Sequence, residues 1–144
     1  MNQQNFSNHQ RWVPMYHFVS SLLIYASFIG SLVNLYKSFS SGAGVYSASL
    51  IVVLAFSLVW VHYYARAFAL KAQDRAIRAE ENLRHFVMNS KLLDPKLTVR
   101  QIIGLRFASD GEFLELEKRA VVENLSEGAI KKAIKNWRGD YYRA

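Results

Sequence analysis

The first 73 residues contain neither Asp nor Glu, and two stretches within them, 15–36 and 45–64, carry no charged side chain. Each has roughly the 20 residues that a helix needs to cross a hydrocarbon layer about 30 Å thick. The connector between them, KSFSSGAG over 37–44, is short and rich in Ser and Gly. These features point to an all-α membrane protein. It would be a two-helix transmembrane hairpin whose second helix extends into the cytoplasm, followed by a small bundle of short helices.

Whole-chain averages conceal this, because the mean hydropathy is only +0.01. After Tyr64 the chain holds sixteen basic and all eleven acidic residues, so the distal part carries +5 of the net +7. The expected organisation is an N-terminal cytoplasmic segment (1–12), a transmembrane hairpin (13–64), a cytoplasmic helical extension (65–93) and a small helical tail domain (94–144). The first apolar run is too long for the usual h-region of about 7–15 residues, ends in no convincing small-x-small cleavage site and is followed by a second span, so it reads as a retained helix. The absence of cysteine excludes disulfides, thiolate catalysis and Cys-based metal sites.

Basic residues near the span ends set orientation. Arg11 precedes the first span, Arg66, Lys71, Arg75 and Arg78 follow the second, and the connector has only Lys37. Both termini are therefore expected on the cytoplasmic side of a cell inner membrane. Trp12, Tyr16, Trp60, Tyr63 and Tyr64 mark the inner interface, with Tyr36 and Tyr46 at the outer one. His17 and His62 fall at similar depth and form an interfacial pair; hydrogen bonding suits them better than metal binding, since two histidines without a carboxylate make a poor site. Ala26/Gly30 and Ser27/Ser31 are small residues four apart, a face for close helix contact with the second span or with another copy.

No Pro or Gly interrupts 45–94, so the second helix can run to about Asn89. Phe68, Ala72, Ala76, Ala79, Leu83 and Phe86 recur every three or four residues. This stripe is too short for a coiled coil, and the distal helices are expected to fold back over it. Asp74/Arg78 and Glu80/Arg84 have the spacing of helical ion pairs.

Asp94-Pro95 breaks the helix. Three short helices should follow. A Thr98/Gln101 capping box opens 99–107, a Ser109/Glu112 box opens 110 to about 124, and Ser126 caps 127 to about 138. Ile102, Ile103, Leu105, Phe107, Phe113, Leu114, Leu116, Val121, Val122 and Leu125 supply the small core. In the last helix Ile130, Ile134, Trp137 and Tyr141 share one face, with Lys131, Lys132, Lys135 and Arg138 beside it. Such a helix can contact anionic lipid or a partner. The plainer alternative packs Ile134 and Trp137 into the core beneath solvated lysines. Nucleic acid is disfavoured, because no recognition motif accompanies the charge.

Chemistry is sparse. There is no P-loop, HExxH or GxSxG; Glu112, Glu115 and Glu117 read as a solvated face, and His85 lacks a second ligand at metal-site spacing. No enzyme is expected, with no catalytic, cofactor-binding or metal residues.

Four segments together, RWVPMYHF (11–18), ALKAQDRAIRAEE (69–81), LRFASDGEFLEL (105–116) and AIKNWRGDYYRA at the C-terminus, resemble a family of small bacterial membrane proteins known only as a domain of unknown function. The resemblance implies a two-span inner-membrane protein with a helical cytoplasmic tail, and brings no activity or site residues. Gly139 stands where the resemblance leads one to expect alanine, which argues against a helix through Asp140 and Tyr141. The functional expectation is a non-catalytic integral membrane scaffold, accessory or regulatory subunit in the lipid bilayer, as a homo-oligomer or within a membrane protein complex. The alternative is a small homo-oligomeric channel built from several hairpins.

Overall fold

The computed structural model describes residues 4–141. Among them are five helices and no strand: α1 (Met15–Ser41), α2 (Val45–Asn89), α3 (Val99–Leu105), α4 (Asp110–Val122) and α5 (Glu127–Ala133). They form two compact units, one over Trp12–Ala69 and one combining Met1–Arg11 with Leu70–Ala144. Helix α2 contributes to both.

In the Trp12–Ala69 unit, α1 opens as a π-helical turn over Met15–Ser20. Pro14 has no N–H, and the N–H groups of Tyr16 and His17 both reach Val13 O, at 3.0 and 2.9 Å. The helix outlasts the expected boundary at Tyr36 and ends at Ser41, so the turn is only 42–44. Nothing in 37–41 breaks a helix, and Ser40 and Ser41 donate back to the carbonyls of Tyr36 and Ser38 at 3.2 and 3.3 Å. Gly42 and Gly44, both at φ 69°, supply the left-handed residues that reverse the chain. Antiparallel contact between α1 and α2 follows, with Phe28 and Phe56 5.8 Å apart between ring centres. The buried residues of this unit are small: Ser31, Ala48 and Ala55.

In the other unit, α2 turns Ile77, Glu81 and His85 inward. This corrects the sequence expectation. The stripe from Phe68 to Phe86 remains exposed, and the short helices dock on the opposite side. The docking side carries the polar groups that the returning backbone needs. His85 Nδ1 donates to Lys91 O at 2.6 Å, and Asn82 Oδ1 accepts from Leu93 N at 3.2 Å. An alanine stripe offers no such partners. Arg84 pairs with Glu81 at 3.0 Å and with Asp110 at 2.6 Å, in place of the expected Glu80.

The Thr98/Gln101 capping box forms as expected. Gln101 also donates from Nε2 to the carbonyls of Ala120 and Leu125, at 3.3 and 3.0 Å, fastening α3 to the end of α4. That end is closed by Asn124 at φ 47° and by Leu125 N donating to Ala120 O at 3.1 Å. Gly104 lets α5 approach α3, since a Cβ there would lie 3.2 Å from both Glu127 O and Ile130 Cγ2. Leu105, Phe107, Phe113 and Ile130 are fully enclosed, whereas Val122, expected in the core, is 85% exposed at the last turn of α4.

Candidate partner and lipid surfaces

The basic C-terminal region departs furthest from its expected form. Ser126 caps α5, accepting from Ala129 N at 3.2 Å, but the helix stops at Ala133 instead of about Arg138. Ser109 makes no side-chain cap. Glu112 accepts instead from the backbone N–H of Asn136 at 2.8 Å and of Lys135 at 3.1 Å. Those two donors are withdrawn from the i−4 carbonyls that a longer α5 would need. Ile134 becomes extended and buried, and the chain pairs alongside 107–109: Ser109 N donates to Asn136 O at 3.0 Å and Arg138 N to Phe107 O at 2.7 Å. Ile130, Ile134, Trp137 and Tyr141 therefore share no helical face.

The five named basic and aromatic residues separate accordingly. Lys131 is buried, with Nζ 2.6 Å from Glu127 Oε1 and 3.3 Å from His9 Nε2. Trp137 is half-buried, its ring 5.1 Å from that of Phe107 and 5.8 Å from that of His9. Lys132, Lys135 and Arg138 are exposed; Lys132 Nζ lies 5.5 Å from the Phe6 ring and Arg138 is 3.9 Å from Glu81. With Lys131 buried and α5 ending at Ala133, the four cations do not share one helical face.

Sequence reasoning missed the N-terminal segment's role. Gln4 and Asp140 exchange two hydrogen bonds of 2.8 and 3.1 Å, and Arg11 donates to Tyr141 O at 2.9 Å. Arg106, buried against Phe107, pairs with Asp140 at 3.0 Å. The Gln4 and Arg11 contacts join residues more than a hundred positions apart, and the Arg106 pair spans 34, separations that no local spacing encodes. Arg84 is the second missed residue. Besides its two carboxylates it donates to Ala108 O at 2.7 Å and lies 4.3 Å from the Phe113 ring centre.

Glu112 floors a shallow groove of about 330 Å³ lined also by Ser109, Glu115, Arg119 and Lys135. Partial burial works against its charge, but hydrogen bonds from the backbone of Asn136 and Lys135 and from Ser109 outweigh it and hold the carboxyl below its ordinary value. Both oxygens are occupied in structure-forming bonds. Among the described residues no group of three or more His, Asp or Glu could hold a metal ion.

In the Trp12–Ala69 unit, His17 and His62 do not bond to each other. His17 Nδ1 lies 3.0 Å from both the N and the O of Val13, and His62 Nε2 lies 3.1 Å from Ser21 Oγ. Tyr16 contacts both rings, stacking on His62 at 4.3 Å and meeting His17 edge-on at 5.4 Å, and its hydroxyl donates to His62 O. Of the four small residues named on α1, only Ser31 is buried; Ala26, Ser27 and Gly30 are exposed.

Over residues 1–144 the sequence matches the Family of unknown function (DUF6526). The chain belongs to this family. No curated protein and no solved structure matches it. Members of DUF6526 thus include an all-α chain with two helices long and apolar enough to cross a membrane.

Proposed function

We propose that this protein is a non-catalytic integral membrane scaffold, accessory or regulatory subunit. Its two apolar helices cross the bilayer as a hairpin and hold a helical tail in the cytoplasm. One observation carries this reading: bulky apolar side chains stand uncovered along both helices, among them Leu22 (71% exposed), Leu23 (62%), Val53 (62%) and Leu54 (64%). Only 6% of the most apolar window of α1 and 11% of that of α2 is buried, the reverse of a core helix in a water-soluble protein. Lipid is the solvent in which such a surface is stable. The excess of Arg and Lys beyond Tyr64 supports placing both ends inside.

The natural absence of cysteine makes the test direct. Single cysteines at Ser40 and Lys118 are exposed to a membrane-impermeant maleimide in intact cells, and the membranes are then washed with alkaline carbonate. Ser40→Cys should label without lysis, Lys118→Cys only after it, and the chain should stay in the pellet. Release by carbonate rejects the spanning hairpin, while labelling of Lys118→Cys in intact cells rejects the orientation.

The exposure of Ser27 and Asn34 on α1 favours one second reading, a small homo-oligomeric channel. Planar-bilayer conductance from a verified oligomer supports it; absence of current rejects it.

A further inference from the structure

We infer that α2 pairs in parallel with α2 of a second copy of this chain, along the apolar seam that the tail bundle leaves open. The seam is Ala72, Ala76, Ala79, Leu83 and Phe86, spaced 4, 3, 4, 3 as the inner positions of a heptad repeat. All five are exposed, Leu83 by 64% and Phe86 by 51%. At about 100° per residue they lie diametrically across the helix from Ile77, Glu81 and His85, which face the tail core. The intrachain core and the seam therefore do not compete for the same side of α2.

Charge selects the occupant. Arg75 and Glu80 flank the seam on its two sides and are five residues apart, the separation at which flanking side chains of two parallel copies meet. Two identical chains would form the Arg75–Glu80 pair twice, by symmetry. Both residues are exposed, and neither makes an ion pair among the described residues. Parallel orientation rests on the membrane reading above, since both copies of α2 would leave the bilayer on the same side. Alanine at the seam allows close approach but buries little area, so Leu83 and Phe86 are the anchors. The seam is too short for a coiled coil that stands alone, but confinement to a membrane raises the effective concentration that such a modest contact requires.

Cysteines placed singly at Ala72, Ala76, Ala79 and Leu83 of the intact protein in membranes test this, with Lys71 and Arg78 as exposed positions off the seam. Parallel pairing brings equivalent seam positions within disulfide range, and oxidation should give a species of twice the chain mass at all four and not at the two controls. Arg75→Glu should lose the cross-link, and adding Glu80→Arg should restore it. Equal cross-linking around the helix, a product of any other mass, cross-linking at one central position only (an antiparallel crossing), or indifference to Arg75→Glu each overturns the pairing. Carbonate washing of the same samples separates the two readings. A chain that is released yet cross-links along the seam upholds the pairing and rejects the bilayer; a retained chain without seam cross-links does the reverse.

Discussion

Within Trp12–Ala69 the buried residues are Ser31, Ala48 and Ala55, while most Leu, Val, Ile and aromatic side chains are exposed. From Leu70 onward the order is inverted: Leu105, Phe107, Phe113 and Ile130 are enclosed, and buried charges such as Glu81 and Arg106 are paired. In water, bulky apolar groups drive burial. In lipid they gain little by leaving the solvent, and small residues win the helix contact by allowing close approach. The two units thus pack by opposite rules, the contrast expected if, as proposed, lipid surrounds the first and water the second.

The largest effect that would break this contrast is expected at Phe113. Phe113→Ala should cost the tail about 3–5 kcal/mol, enough to open a bundle of this size. Limited proteolysis of the chain in a membrane fraction should then cut within 94–141 faster and, on the proposed hairpin, leave carbonate retention unchanged. Loss of retention would mean that the units are not independent.

Next comes Arg84. Arg84→Met leaves the Glu81 carboxylate, whose side chain is only 7% exposed, with Arg138 at 3.9 Å as its remaining cation, and should destabilise the tail by about 3 kcal/mol. Adding Glu81→Leu should recover part of that loss in a proteolytic melting curve. No recovery would show that the Asp110 and Ala108 contacts of Arg84 dominate.

Acid sharpens the comparison further. The folded-state pKa of Glu112 lies below its ordinary 4.5, so its stabilisation is complete above that value. It is lost as pH falls through the lower folded-state pKa. Glu112→Gln should flatten this acid limb of tail stability; an unchanged limb would assign it to other carboxylates. The smallest effect is expected from Leu54→Ala, at a 64% exposed site of α2: tail stability should stay within about 0.5 kcal/mol of the parent. Leu105→Ala, at a fully buried one, should cost about 2–5 kcal/mol by the same measurement.

Much of the helical order was legible from short-range signals. The Thr98/Gln101 box and the Ser126 cap act over three residues, and each opens its helix where expected. Other readings failed where a distant group competed for the same atoms. Glu112 was expected to serve only Ser109's cap; it keeps a hydrogen bond from Ser109 but also takes N–H groups from 23 and 24 positions downstream, which ends α5 early. Lys131 looked like a surface cation until Glu127 and His9 enclosed it. The stripe along α2 was read correctly as apolar, but apolarity alone did not reveal which side the tail would choose.

By itself, then, the amino-acid sequence determined the uncharged stretches, the unbroken run of α2, the turn glycines and the local caps. Each depends on side chains within a turn or two of one another, or on the absence of Pro and Gly over a longer run. Tertiary structure decided the rest: which face of α2 receives the bundle, where α5 stops, and how the N-terminal segment closes over Trp137 and Asp140. Those outcomes depend on which backbone N–H and C=O groups find partners across the fold. The partners are supplied by Asn82, Arg84, His85, Gln101 and Glu112, residues whose roles emerge only when the chain has returned to meet them.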